Sequence, residues 1–137
     1  MKWAALKLAL LISAVFVFQV FYQPLTEIFL LVSADIAGRP WILVTSIFIH
    51  GDTMHLLYNM LALATFGSIL EKVTGERKFF LVFFLSGIAS GMASTLLYSS
   101  VLGASGAIFG VIGALALLLP RLIVWALGAP MPMIIAA

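Results

Sequence analysis

Residues 103–119 read GASGAIFGVIGALALLL, a glycine-rich turn followed at once by an apolar run. Beyond the turn the run has no polar side chain, so it predicts a helix surrounded by lipid or by other apolar helices. Ser105 lies on the turn, with its hydroxyl at the head of that helix. Non-helical backbone at membrane depth is tolerated only beside protein or a water-filled cavity. A hydroxyl in such a place indicates chemistry.

The composition of the whole chain agrees with a membrane setting. Of its 137 residues, 64% are hydrophobic and 9% are charged, and the mean hydropathy is +1.25. A water-soluble domain is about half apolar and about a quarter charged. The sequence therefore predicts an integral membrane protein with room for one compact bundle, a single domain over residues 1–137. The chain has no cysteine, which excludes disulfides, thiol nucleophiles and thiolate metal sites.

Charged and Pro/Gly-rich joints divide the chain into apolar runs that predict membrane spans. Four runs count as complete spans: residues 3–22, 55–70, 79 to about 97, and 106–119. A fifth run starts at Leu122, contains Pro130 and Pro132, and is still apolar at Ala137. Residues 23–54 mix charged and apolar side chains, which favours an interfacial loop with short amphipathic pieces. We therefore expect an all-α fold, a polytopic transmembrane helix bundle with four complete spans and the start of a fifth.

The basic residues are distributed unevenly among the joints. They occur at alternate joints: Lys2 and Lys7, then Lys72, Arg77 and Lys78, then Arg121. Because cytoplasmic joints carry the excess of lysine and arginine, the N-terminus is predicted to be cytoplasmic. His55 and Ser105 then share the outer side of the membrane, at the outer ends of their helices.

Two of the predicted spans are short. Residues 106–119 number 14 and residues 55–70 number 16, about 21 Å and about 24 Å of helix against roughly 30 Å of hydrocarbon. Charged joints hold their inner ends, so their outer ends should lie below the outer surface. The sequence predicts a recessed, wet cavity that opens outward and contains Ser105.

His55 and Asn59 are four residues apart and therefore lie on one face of their helix. Both side chains can donate hydrogen bonds. With the backbone N–H groups at the start of the Ser105 helix, they are placed to stabilise the oxyanion of an acyl-transfer reaction. The alternative is that both only bridge helices, as polar side chains in membranes often do.

A stripe of small residues precedes the Ser105 helix. Its members recur at spacings of three and four: Ser86, Gly87, Ser90, Gly91 and Ser94. Small residues let helices approach closely, so we assign the stripe to helix packing.

Five motifs follow one another in a specific order. They are Arg39-Pro40-Trp41, residues 45–50 (TSIFIH), residues 55–60 (HLLYNM), Phe66-Gly67 with Glu71 and Gly75, and residues 103–110 (GASGAIFG). In this order and at these spacings the chain resembles the rhomboid intramembrane serine proteases over most of residues 25–120. The resemblance implies a rhomboid-like fold with Ser105 as the nucleophile. It also implies that His55 and Asn59 form the oxyanion hole with the Ser105 backbone N–H.

The same resemblance assigns two supporting residues and a substrate class. It implies that His50 is a structural histidine of the outer loop. It implies that Glu71 ties the inner end of its helix to neighbouring helices. The implied substrate is the transmembrane helix of another protein, unwound near its outer end and cut between small residues.

The general base of the family has no counterpart in this sequence. Rhomboids work as a serine–histidine dyad whose histidine lies on their sixth core helix, whereas this chain has two histidines, His50 and His55, both before Ser105. A serine hydroxyl needs an adjacent base to be a useful nucleophile at neutral pH. The family continues with two more helices after Arg121. We therefore expect this chain to be the front of a longer protease, truncated at its C-terminus and inactive alone.

Two other functions stay open. A non-catalytic rhomboid-like protein would hold transmembrane clients in the same cavity and would need no base. A metal site would require His50, Asp52 and His55 to converge in a tight turn. The expected partners are a substrate's transmembrane helix and the lipid bilayer, and no cofactor is expected. The net charge of +2 comes without a basic stripe interleaved with aromatic residues, so no nucleic-acid partner is expected.

Overall fold

The computed structural model describes residues 3–126 and 128–137, which are mainly helical. The helices are α1 (Ala4–Phe21), α2 (Pro24–Phe29), α3 (Ile42–Thr45), α4 (Thr53–Ala62), α5 (Ser68–Thr74), α6 (Glu76–Ser94), α7 (Ser105–Leu118) and α8 (Met133–Ala136). Four short strands accompany them, β1 (Leu31–Val32), β2 (Ser100–Val101), β3 (Ile123–Ala126) and β4 (Ala129–Pro132). The all-α prediction is confirmed. Lys2, which contributed to the predicted orientation, lies outside the described residues.

Two of the described helices are long and apolar enough to cross a membrane. They are Ala4–Phe21 and the continuous helix Thr53–Thr74. The α7 helix is also apolar but shorter, with 14 residues. The count of four complete spans and the orientation of the bundle stay predictions.

The second long helix extends further than predicted. A π-helical turn (Leu63–Gly67) joins α4 to α5 in one helix of 22 residues, about 33 Å long at 1.5 Å per residue. It starts after Asp52, whose carboxylate accepts the His55 backbone N–H at 2.8 Å and so caps the helix. The prediction of a short 16-residue span here is wrong, so the argument for a recessed outer end applies to α7 alone.

Glu71 explains why the charged joint did not end that helix. Its side chain is buried, and Oε2 accepts the backbone N–H of Ala5 at 3.0 Å. Ala5 lies in the first turn of α1, where amide groups have no partner within the helix. The carboxylate thus stays inside the bundle and holds the end of α5 against the start of α1, as expected for Glu71.

The small-residue stripe of α6 packs against α7. A Cβ atom added at Gly106 would collide with Ser90 Oγ, and one added at Gly110 would collide with Ser86 Oγ. These contacts leave no room for a side chain on α7, so the two backbones approach closely. The assignment of the stripe to packing is confirmed.

One apolar core joins the long helices. Its fully buried members include Ile12 of α1, Leu63 of the π-helical turn, Phe79 and Phe83 of α6, and Leu115 of α7. Because lipid tails are as apolar as these side chains, the gain on assembly comes from close packing rather than from removal of water.

The segment between α1 and α4 is a loop with short helical pieces, as the sequence predicted, and its location at the membrane interface stays a prediction. The β1 strand pairs antiparallel with β2, with Leu31 opposite Val101. Arg39 forms an ion pair with Asp35 at 3.3 Å and donates to the carbonyl of Glu27 at 3.1 Å. Because β2 directly precedes the Gly103 turn, this loop helps to position the head of α7.

The run from Leu122 does not begin a helix. In the described part of this segment β3 and β4 pair antiparallel, with Val124 opposite Met131 and Trp125 opposite Pro130. Pro130 and Pro132 have no amide hydrogen to donate, and each disfavours helical backbone at the residue before it. The predicted start of a fifth span is therefore wrong for residues 123–126 and 129–132, which form paired strands followed by the short α8.

Candidate active site

The turn before α7 is held in a conformation that favours glycine. Gly103 has φ of +106°, a region that side chains with a Cβ rarely adopt. Its N–H donates to the carbonyl of Ser46 at 2.8 Å. A Cβ atom at Gly103 would lie 2.8 Å from His55 Cε1 and 2.9 Å from His55 Nε2. The imidazole of His55 therefore packs directly on the backbone of the turn, two residues before Ser105.

His55 lies near the start of α4 and faces a second imidazole. Its ring centroid is 5.0 Å from that of His50, with the planes inclined by 65° in an edge-to-face arrangement. The cap from Asp52 fixes the backbone of this first turn. The structure thus brings both histidines of the chain to the Gly103 turn.

Asn59 is buried one turn below His55 on the same helix. Its amide nitrogen donates to the backbone carbonyl of His55 at 2.8 Å. This bond lies within α4, so it does not link two helices as the alternative interpretation required. The bond uses one of the two N–H donors of the amide.

Ser105 lines a small cavity between α7, α6 and the loop. The cavity has a volume of about 70 Å³, enough for water to enter. Four serines are among the residues that line it, Ser46, Ser90, Ser94 and Ser105. His55 and Asn59 are not among the residues that line it. The structure therefore places Ser105 beside a polar cavity and His55 against the turn that precedes it, and the oxyanion roles of His55 and Asn59 stay predictions.

His50 is fully buried beside the same turn. Its Nε2 accepts the backbone N–H of Ala104 at 3.5 Å, which supports the expected structural role. Burial, followed by the neighbouring His55, lowers the pKa of His50 from 6.5 to about 4, while the Phe48 backbone and Asp52 act in the opposite direction. His50 is therefore neutral at pH 7 and can serve as a hydrogen-bond acceptor.

Gln19 holds the His50 backbone and was not identified from the sequence. Across 31 residues of sequence its amide accepts the His50 N–H at 3.1 Å and donates to the His50 carbonyl at 2.9 Å. The same nitrogen also donates to Thr26 Oγ1 at 3.1 Å. The available signal was a polar residue inside the apolar run of residues 3–22, which in membranes indicates a specific partner.

The metal alternative finds no support at this site. In residues 3–126 and 128–137, no group of three His, Cys, Asp or Glu side chains is arranged to hold a metal ion. His50 uses Nε2 to accept from Ala104, which leaves that atom unavailable as a ligand.

The comparisons with known proteins agree with one another on the family. The family model described as the Rhomboid domain matches residues 37–137. The chain is 42% identical over 80 residues to the rhomboid protease GluP of Bacillus subtilis (strain 168), which covers 57% of this chain and 16% of that protein. It is 40% identical over 80 residues to the putative rhomboid protease YdcA of the same organism, covering 56% and 40%.

A mitochondrial relative is similar over a longer segment. Rhomboid protein 1, mitochondrial, of Saccharomyces cerevisiae (strain ATCC 204508 / S288c) is 34% identical over 101 residues, covering 68% of this chain and 29% of that protein. In each of these three comparisons the chain spans less than half the length of the relative.

Replacing Gln19 by Leu should destabilise the fold. The change leaves the buried N–H and C=O of His50 without partners, at a cost of about 2–4 kcal/mol in the free energy of unfolding. Gln23→Leu is the matched control, because Gln23 makes one exposed hydrogen bond of 3.4 Å and its loss should change stability by less than about 0.5 kcal/mol. Denaturant unfolding in detergent micelles measures both. Equal effects of the two substitutions would show that the hydrogen bonds from Gln19 to the His50 backbone do not stabilise the fold.

Stability should depend on pH through His50. The folded state keeps a pKa of about 4 against an ordinary 6.5, so the unfolded chain binds more protons between these values. The free energy of unfolding should be highest above about pH 6.5 and should fall by up to about 3 kcal/mol as the pH is lowered to about 4. His50→Gln should flatten this slope in unfolding curves recorded from pH 4 to 7. A slope that survives the substitution would belong to another group.

Proposed function

This chain belongs to the rhomboid family, and on that premise we propose that it is the front part of an intramembrane serine endopeptidase. Its substrates are the transmembrane segments of other membrane proteins. The relatives described above are named rhomboid proteases, which supports proteolysis at the level of the family. The cleavage of membrane-embedded segments by this protein is the finer step that we propose.

The observation that carries the proposal is the position of Ser105. Ser105 is the first residue of a 14-residue apolar helix. This helix is about 21 Å long and therefore shorter than the roughly 30 Å hydrocarbon layer. Ser105 also lines a cavity that has room for water. A hydroxyl that water can reach at the recessed end of an apolar helix suits hydrolysis within a membrane.

We assign the nucleophilic step to Ser105. Its Oγ forms a bond to the carbonyl carbon of the scissile peptide, its proton passes to a base, and the carbonyl oxygen becomes an oxyanion. The backbone N–H groups at the start of α7 point toward that charge, and the helix dipole favours it. His55, which lies against Gly103, and Asn59, one turn further along, supply further donors once the substrate is bound.

The base is assigned to a histidine outside residues 1–137. His50 is buried, and its Nε2 accepts the Ala104 N–H, so it is not free to take a proton from Ser105. His55 is needed at the oxyanion in this assignment. Residues 1–137 alone are accordingly expected to be inactive. The distribution of basic residues among the segments between the spans supports a separate point, that the active site lies on the outer face of the membrane.

A fluorophosphonate probe tests the nucleophile. The protein expressed from its native gene should be labelled in membranes, and Ser105→Ala should abolish the labelling because the attacking oxygen is removed. Ser94→Ala is the matched control, since this serine lines the same cavity, and its labelling should persist. The chain of residues 1–137 alone should stay unlabelled for want of a base. Mass spectrometry of the labelled peptide identifies the site.

Two results of this experiment would contradict parts of the proposal. Labelling that persists in Ser105→Ala would remove the nucleophile assignment. A native protein that is not labelled, but still captures transmembrane helices in a pull-down from detergent, would favour the non-catalytic client-binding function.

The oxyanion assignment predicts a loss of rate in the native-gene protein. His55→Ala and Asn59→Ala should each lower kcat by about tenfold to a thousandfold, the range for removing one oxyanion donor. Tyr58→Ala on the same helix is the control, because the Tyr58 side chain is 65% exposed and should leave kcat nearly unchanged. Cleavage of a fluorogenic transmembrane peptide measures the rates. If kcat stays unchanged in both variants while thermal stability falls, the two residues serve packing.

A further inference from the structure

A second cavity lies at the opposite end of α6 from the Ser105 turn. It has a volume of about 690 Å³ and is formed by the turn between α5 and α6, residues 71–78. Three basic side chains line it, Lys72, Arg77 and Lys78. A Cβ atom added at Gly75 would meet no atom within 4 Å, so the turn is open on the side of its glycine.

The charges of this cavity favour an anionic ligand. Lys72, Arg77 and Lys78 are all exposed. Among residues 3–126 and 128–137, none of these three basic side chains forms an ion pair. The salt bridge found among those residues joins Arg39 and Asp35, away from the cavity. Two carboxylates also line the cavity, Glu71 and Glu76. Glu71 is buried and its Oε2 binds the start of α1, and Glu76 is half-buried. Three exposed cations against these two carboxylates leave the cavity with an excess of positive charge.

An apolar groove continues from the basic cavity along α6. It has a volume of about 500 Å³ and is lined by Phe80, Leu81, Phe84 and Leu85, with Arg77 at its head. These residues recur at spacings of three and four, so they share one face of the helix. Leu81 and Leu85 are 59% and 62% exposed, which leaves the groove open to a neighbouring molecule. Arg77 lines both the basic cavity and the groove.

A second groove runs on the other side of the same aromatic pair. Phe80 and Phe84 are stacked, with ring centroids 6.2 Å apart. Beyond them a groove of about 270 Å³ lies between α1 and α6, and Lys7 and Leu11 line it from α1. Two apolar grooves thus flank one pair of phenylalanines. Arg77 lies on the wall of the first, and Lys7 and Glu76 lie on the wall of the second.

We propose that this end of the bundle is a binding site for one anionic diacyl phospholipid. The phosphate group lies in the basic cavity against Arg77, Lys78 and Lys72. One acyl chain follows the groove of Leu81 and Leu85, and the other follows the groove between α1 and α6. A soluble phosphate or an acidic peptide would use the basic cavity but would leave both apolar grooves empty. A phospholipid uses all three and is supplied by the bilayer in which this family resides.

The site is independent of proteolysis, since none of its residues lies at the Ser105 turn. Juxtamembrane lysine and arginine residues each strengthen the attraction of anionic lipids by about fivefold. The site should therefore discriminate between lipids by headgroup charge, and it should also require the apolar grooves.

Lipid retention measured by native mass spectrometry tests the site. The purified chain is exposed in micelles to equal amounts of dioleoyl phosphatidylglycerol and dioleoyl phosphatidylcholine. We expect one phosphatidylglycerol to be retained in preference. Arg77→Gln should lower its retention about fivefold. Arg121→Gln is the matched control, because it removes an equal charge from an exposed residue outside the cavity, and it should change nothing. If Arg77→Gln lowers the melting temperature, Lys72→Gln repeats the test at the other end of the turn.

A second arm distinguishes a lipid from a free phosphate. Leu81→Ser should weaken retention of phosphatidylglycerol, because it places a hydroxyl in the acyl groove, and sn-glycerol 1-phosphate should not displace the bound lipid. Equal retention of the two lipids, or equal effects of Arg77→Gln and Arg121→Gln, would overturn the proposal. Displacement by glycerol phosphate, with Leu81→Ser behaving as the unmodified chain, would overturn it in favour of a soluble phosphate site.

Discussion

The close approach of α6 and α7 is the constraint on which the site depends. Gly106 and Gly110 present no side chain, and Ser90 and Ser86 of the facing helix occupy the space. In a bilayer such packing replaces the hydrophobic effect as the force that holds helices together. Ser105 precedes Gly106 in the chain, so the contact that fixes the depth and rotation of α7 also fixes the position of the serine.

The loop before α4 is held to this pair of helices by hydrogen bonds as well as by buried apolar side chains such as Ile47, which packs against Gly87 of α6. The carbonyl of Ser46 accepts from Gly103, and Nε2 of His50 accepts from Ala104. Gln19 in turn fixes the His50 backbone from α1. Each bond satisfies a backbone group that would otherwise be costly to bury. The turn that carries Ser105 is therefore connected to α1, to the loop and to α6.

The sequence allowed the helices and the serine turn to be predicted, because both depend on local patterns. Apolar runs and a glycine-rich turn are visible in a single sequence. The partners of Gln19 and Glu71 depend on contacts 31 and 66 residues away in sequence, which no local pattern contains.

The same cause explains why the predicted length of the helix Thr53–Thr74 was wrong. A charged joint was expected to end it, but the buried Glu71 is stabilised by Ala5 and the helix continues to Thr74. The pairing of residues 123–126 with residues 129–132 was not predicted, because the high hydropathy of this run was given more weight than two prolines whose backbone preference opposes a helix.

The two ends of the bundle differ in the charge of their polar side chains. Near the Ser105 turn the buried polar groups are neutral: serine hydroxyls, the amide of Gln19, and a His50 whose pKa burial lowers to about 4. At the other end three exposed cations surround an open cavity. If Ser105 attacks a peptide carbonyl, we expect oriented dipoles, the α7 amides and the donors of α4, to stabilise the resulting negative charge, because the part of the chain that the structure describes has no buried lysine or arginine beside the turn. Fixed dipoles need no reorganisation during the reaction, so the rigid packing of α7 against α6 is itself a requirement of the chemistry.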